Sequence, residues 1–151
     1  MFYDKGILAQ KNTNWYNVSD GFKITPDTEG TLLEYNRSSG WANIYANQND
    51  NTSRPFSIGS CIELDVVNCT GNIRLQAYDG TTARLQLTLP TNATNYHIKI
   101  SIAETTITTI INGVTNTYTT SSYINDDFQV NFASNTVDAS VKYKEFMIYP
   151  I

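Results

Sequence analysis

The chain has 151 residues and a formal net charge of −4, with 40% hydrophobic and only 16% charged residues. A chain of this length holds one core and buries about two thirds of its unfolded surface without help from a metal or a disulfide. Its ten basic residues form no cluster, which excludes a sequence-independent grip on nucleic acid and argues equally against anionic membranes. No apolar run approaches the roughly 18 residues that a membrane-spanning helix needs. Asn, Thr and Ser dominate the remainder. Together with Tyr, Ile and Val this is a strand-and-turn composition, and almost no helix is expected.

The start, Met1-Phe2-Tyr3-Asp4-Lys5, lacks a signal peptide's apolar stretch, so export is expected only inside a larger protein or particle. Trp15 and Tyr16 offer a second, weaker stacking platform, with a structural role as the plainer reading. Strands follow at Gly21 to Thr25, Thr31 to Asn36 and Trp41 to Ala46, separated by turns at Pro26-Asp27 and Ser38-Ser39-Gly40. Asn47 to Pro55 reads as a polar loop.

From Cys61 to Ala103 apolar and polar residues alternate through four successive strands, with inner sets Ile62, Leu64, Val66, then Ile73, Leu75, Ala77, then Leu85, Leu87, Leu89, then Ile98, Ile100, Ile102. A four-strand meander burying one common face is expected. Asn112-Gly113, between Ile107 to Ile111 and Val114 to Thr119, is the dipeptide of a two-residue type I′ hairpin. Phe128, Val130 and Phe132 mark another strand. In Val141 to Tyr149 the phase slips between Tyr143 and Phe146, which predicts a bulge. About ten short strands with regular turn signals give an all-β sandwich or barrel, read as a single domain over residues 1–151.

Cys61 and Cys69 fall on one predicted strand, about 26 Å apart at ~3.3 Å per residue, so they are expected to remain unpaired thiols. No histidine stands near them at a zinc spacing. Asn17, Asn36, Asn51, Asn68 and Asn92 each open an Asn-x-Ser/Thr triplet, a weak sign of secretion in so Asn- and Thr-rich a chain.

Three late elements carry a resemblance: the strand Tyr96-His97-Ile98-Lys99-Ile100-Ser101, the hairpin Thr109-Ile110-Ile111-Asn112-Gly113-Val114, and the closing strand from Val141 to Tyr149. In style and order they resemble the concanavalin A-like lectin and laminin-G-like jelly rolls over roughly the last hundred residues. The resemblance implies an antiparallel jelly-roll β-sandwich of the kind found in viral tail fibres, microbial surface adhesins and carbohydrate-binding modules. An extracellular, cell-surface or virion location goes with it.

Fold alone does not fix function. Alternation in the meander sets Glu63, Asp65, Arg74, Gln76, Tyr78, Arg84, Gln86, Thr88, His97, Lys99 and Ser101 opposite the buried residues. That face has planar hydrogen-bonding groups and a ring, which suit sugar hydroxyls and a sugar's C–H face; the plainer reading is a solvated sheet with cross-strand ion pairs. Trp41, Asn43 and Tyr45 point one way and Ala42, Ile44 and Ala46 the other, offering a stacking platform beside Asn47, Gln48, Asp50 and Arg54. The alternative makes Trp41 a core anchor. The expected ligand set is Trp41, Asn43, Tyr45, Arg54, Gln76 and Tyr78.

Glu63-Leu64-Asp65 invites comparison with the Glu-x-Asp-x-x-Glu strand of retaining glucanases that share the jelly roll. The third acid is missing here, since Val67 and Asn68 stand in its place, so no catalytic residue is assigned. His97, the one histidine, is expected to be an exposed surface residue. Asp50, Asn51, Asn125, Asp126 and Asp127 are hard oxygen donors that make Ca²⁺ the one candidate cofactor, without the spacing of a known calcium loop or any assigned metal ligand.

The reading that follows is a non-catalytic glycan or host-surface binding module of a viral tail fibre or microbial adhesin, with a cell-surface polysaccharide as partner. Two alternatives stay open: a structural or assembly domain of a virion or surface protein, packed as a homotrimer, and a glycoside hydrolase.

Overall fold

The computed structural model describes residues 2–4, 15–26, 28–46, 55–79, 83–103, 106–112, 114–119 and 127–150. Thirteen strands lie among them: β1 (Phe2–Asp4), β2 (Tyr16–Asn17), β3 (Phe22–Pro26), β4 (Thr31–Tyr35), β5 (Ala42–Tyr45), β6 (Ser60–Thr70) and β7 (Arg74–Tyr78), then β8 (Ala83–Thr88), β9 (Tyr96–Ile102), β10 (Thr106–Ile111), β11 (Val114–Thr119), β12 (Gln129–Ser134) and β13 (Ser140–Pro150). The described helical content is one short 3₁₀ turn at Val18–Asp20.

The strands form two antiparallel sheets stacked as a sandwich. The larger has eight strands in the order β11-β10-β9-β6-β13-β4-β3, with β1 also paired to β13. The smaller has five, in the order β2-β5-β12-β7-β8. Both inner faces supply one core, including Leu33, Ile62, Leu64, Ile98 and Ile100 from the larger sheet and Ile44, Leu75, Ala77, Val130 and Phe132 from the smaller. Layers packed this way sit about 10 Å apart, the depth of two interdigitating side chains.

The expected four-strand meander does not form. β6 pairs with β9, while β7 and β8 pair with each other in the opposite sheet. The chain crosses between sheets after β6, through Gly71 at φ +71°, and returns before β9, where the Tyr96 hydroxyl donates to the Pro90 carbonyl at 2.7 Å. Period-two alternation reports that one face of a strand is buried, and that face meets the same core from either layer. Sheet membership is therefore invisible to it.

Other local expectations hold. Ile111 pairs with Val114 across the two-residue hairpin, and Asn112 takes φ +47° as a type I′ turn requires. In β13 the ladder to β6 shifts between Lys142 and Tyr143 and again between Tyr143 and Glu145. Tyr143 and Phe146, three residues apart, would point to opposite faces of a regular strand; the bulge turns both inward and both are fully buried.

There they meet Trp15 and Phe132. All six pairings among these four rings have centroids 5.0 to 6.3 Å apart, mostly tilted or edge-on, the arrangement aromatic quadrupoles favour. Trp15 Nε1–H also donates to the Tyr143 hydroxyl at 2.9 Å. Trp15 is thus a core residue, as its structural role required, while Tyr16 beside it lies half-buried on β2. Truncation of Phe132 to Ala is expected to cost about 3–5 kcal/mol in urea unfolding. Val137→Ala, at an exposed position, should stay within ~0.5 kcal/mol.

Candidate functional site

The outer face of the five-stranded sheet follows from its registers, because residues directly opposite in an antiparallel pair share a face. Tyr16 pairs with Tyr45, Tyr45 with Asn131, Asn131 with Gln76 and Gln76 with Gln86. One row of side chains thus crosses all five strands. A second row runs through Asn43, Ala133, Arg74 and Thr88, and Gln129 stands opposite Tyr78.

This face is a trough rather than a plane. Its floor is β12, whose outward residues Gln129, Asn131 and Ala133 are 5%, 2% and 1% exposed. The residues paired with them on the flanking strands, Asn43, Tyr45, Arg74, Gln76 and Tyr78, are half-buried, so exposure rises outward from the middle strand. Burial pushes the Tyr45 phenol above its ordinary pKa, and the Tyr78 phenol adds to the shift. The Asn131 amide oxygen is buried and accepts no hydrogen bond from the described residues. Such an acceptor normally costs about 1–3 kcal/mol, and in its place between Tyr45 and Gln76 it is suited to a donor from outside the protein.

At one end, the Arg74 guanidinium lies 4.8 Å from the centroid of the Trp41 ring and donates one long hydrogen bond, 3.4 Å, to Gln86 Oε1. At the other, Arg84 Nε is held by Asp79 Oδ2 at 2.6 Å, an ion pair largely out of solvent.

Five of the six residues expected to bind ligand, Trp41, Asn43, Tyr45, Gln76 and Tyr78, belong to this one surface. Arg54 lies outside the described residues, as do Asp50, Asn51, Asn125 and Asp126 of the calcium set. Trp41 is 44% exposed while Ala42 and Ile44 are fully buried, so it is no core anchor; its indole instead carries Arg74 on one face. Gln129 and Asn131 were missed. Their alternation with Val130 and Phe132 marks them as outward, but nothing in the sequence says that β12 runs between β5 and β7.

Glu63, Asp65, His97 and Lys99 do not share this face. They lie on the outer surface of the eight-stranded sheet, on the far side of the sandwich. His97 Nδ1 is 2.6 Å from Asp65 Oδ1 and Nε2 is 3.0 Å from Glu63 Oε1, while the Tyr149 hydroxyl donates to Glu63 Oε2 at 2.6 Å. Only an imidazolium donates to both carboxylates at once. Partial burial pulls the His97 pKa down, yet its hydrogen bonds to Asp65 and Glu63, with their charges, outweigh this and hold it above the ordinary value. Glu63 is lowered chiefly by the Tyr149 hydrogen bond, against a burial effect that raises it, with His97 and Lys99 adding to the lowering. His97, exposed as the sequence suggests, is also an ionic staple between β6 and β9. Cys61 and Cys69, both on β6, are free and buried, and burial pushes the Cys69 thiol up to about 11.

No protein-family model matches the chain, and no curated protein does. Solved structures do. A carbohydrate-binding module from Bacillus subtilis aligns with a TM-score of 0.57 at 15% identity, over 90% of this chain and 95% of its own. A Bacillus subtilis protein of unknown function with a galectin-like fold gives 0.62 at 11% identity, covering 98% of both chains. The fold is a concanavalin A-like jelly roll. Jelly rolls similar to this one also include a putative β-glucanase from Mycobacterium abscessus, with a TM-score of 0.57 at 12% identity over 99% of both chains. At such identities the jelly roll is what is shared, and it serves binding modules and enzymes alike.

The staple has a pH signature. A raised histidine pKa stabilises the fold fully below the ordinary value of 6.5, and that contribution is lost as pH climbs through the raised one; the lowered glutamate contributes above 4.5 and is lost on acidification. Melting temperature is expected to decline as pH rises from about 6 to 9, and His97→Gln should flatten that decline. The effect is small, below about 1 kcal/mol, because the imidazole is 45% exposed.

Proposed function

We propose that this jelly roll is a non-catalytic module that binds a cell-surface polysaccharide in the trough of its five-stranded sheet. The observation that carries the reading is the crosswise row from Tyr45 through Asn131 to Gln76. It puts an unsatisfied buried acceptor between a phenol and a primary amide, with the Tyr78 phenol close by. Sugars present hydroxyls that both donate and accept, and apolar C–H faces that lie against rings. The trough offers Asn131 Oδ1 as an acceptor, Asn43, Gln76 and the phenols as two-way partners, and Tyr45 and Tyr78 as ring surfaces. Small-molecule and glycan sites combine such a concave surface with a few convergent polar groups.

The likeness to a carbohydrate-binding module supports the same reading. The setting we propose is a viral tail fibre or a microbial surface adhesin, where a sandwich of this kind presents its site to the glycan of a host or neighbouring cell. Glu63 and Asp65, the pair comparable to a glucanase's acids, face away from the trough and already grip one imidazole, which supports a binding role over hydrolysis.

Tryptophan fluorescence tests this, since the chain holds two tryptophans: buried Trp15 serves as an internal reference and exposed Trp41 as the reporter. Titration with a panel of cell-wall and surface polysaccharides should give a saturable shift with at least one of them. The shift should vanish in Trp41→Ala, and Asn131→Ala should weaken binding about tenfold, the loss of one buried hydrogen bond. No shift with any polysaccharide would overturn the reading, and reducing ends released during the titration would overturn the non-catalytic part.

A further inference from the structure

We infer that the trough selects acidic glycans, taking a sugar carboxylate on Arg74 while a hydroxyl of the same or the neighbouring sugar donates to Asn131. This rests on the trough being a glycan site and adds the chemical class of the ligand.

The charges of the five-stranded face point this way. Its described outward side chains include two cations, Arg74 and Arg84, and the carboxylate of Asp79. Arg84 is committed to Asp79 at 2.6 Å. Among the described residues Arg74 has no carboxylate partner; its contacts there include the Trp41 ring at 4.8 Å and the 3.4 Å hydrogen bond to Gln86. A guanidinium carries five N–H donors in a planar fork, and one weak bond to an amide leaves most of them unused. The indole beneath supports the plane by cation–π attraction and holds it in one orientation, so little freedom remains to be lost when an anion arrives. A carboxylate is the planar, two-oxygen acceptor that such a fork meets bidentately.

Geometry adds the second contact. Arg74 pairs with Ala133 and Asn131 with Gln76, which makes Arg74 and Asn131 diagonal neighbours on one face, about 7–8 Å apart at the backbone. Long side chains bring that separation within the span of a uronic acid unit, which presents a carboxylate and hydroxyl donors on one ring. A simple phosphate or sulfate ion would satisfy Arg74 but leave Asn131 Oδ1 without a donor.

Part of the acidic complement behind the net charge of −4 lies across the sandwich from the trough. Glu34, Glu63, Asp65 and Glu145 lie on the eight-stranded sheet, one sandwich thickness away. Layers about 10 Å apart with side chains on either side put those charges beyond the ~8 Å screening length at physiological salt.

The test uses oligomers of galacturonate, glucuronate and mannuronate, each beside its fully methyl-esterified, uncharged form, with Trp41 fluorescence and calorimetry as readouts. At least one acidic oligomer should bind, its ester should bind about tenfold or more weakly, and added salt should weaken the acid alone. Arg74→Gln should bring the acid down to the affinity of the ester, and Arg74→Lys should fall between, keeping charge but losing the fork. Arg74 is a surface residue, and an unchanged melting temperature confirms that each variant is folded. If esters bind as tightly as acids, or if only neutral polysaccharides bind, the acidic selectivity is overturned while the glycan site stands. If no saccharide of either kind binds, both fall.

Discussion

Trp15, Phe132, Tyr143 and Phe146 pack ring against ring between the two sheets, and the rest of the sandwich is arranged around that contact. It depends on the bulge in β13. Without the register shifts around Tyr143, either Tyr143 or Phe146 would face solvent and the quartet would lose a quarter of its rings. With it, Phe132 is pinned at the centre of the five-stranded sheet, and β12 with it. Because Phe132 and Asn131 are successive residues on one strand, anchoring the first inward aims the second outward, at the floor of the trough. The core interaction thus sets the position of the surface group on which the functional reading turns.

The two outer faces of the sandwich are chemically unlike. On the eight-stranded sheet, polar groups satisfy one another: His97 between Asp65 and Glu63, and Tyr149 on Glu63. On the five-stranded sheet, among the described residues, Asn131 Oδ1 has no donor and Arg74 rests on an indole with most of its fork unused. A face whose hydrogen bonds are closed stabilises the fold; one with open, preorganised donors and acceptors is equipped to meet a ligand.

Much of this was legible in the sequence, and the part that was not has a definite cause. The hairpin at Asn112-Gly113 and the phase slip between Tyr143 and Phe146 are local signals, and each corresponds to a local structure. For Trp41 the sequence leaves platform and core anchor both open, and the small Ala42 and Ala46 with apolar Ile44 on the opposite face are the short-range pattern that agrees with its exposure. What failed was long-range: the residues from Glu63 to Lys99 read as one polar face, yet the chain changes sheet twice between them, so the staple around His97 and the group Arg74, Gln76 and Tyr78 end on opposite surfaces. For the same reason Asn131 and Gln129 went unnoticed. Their role comes from lying between β5 and β7, strands 50 to 90 residues earlier in the chain, and no periodicity encodes that pairing.

The most direct measurement is a backbone and side-chain amide NMR titration of the full chain with an acidic oligosaccharide. The side-chain amide signals of Asn131 and Gln76, with the backbone signals of β5, β7 and β12, should shift and saturate together, while His97 and its neighbours on β6 and β9 stay still. Shifts centred on His97, Glu63 and Asp65 with a silent trough would contradict the account and move the site to the other sheet.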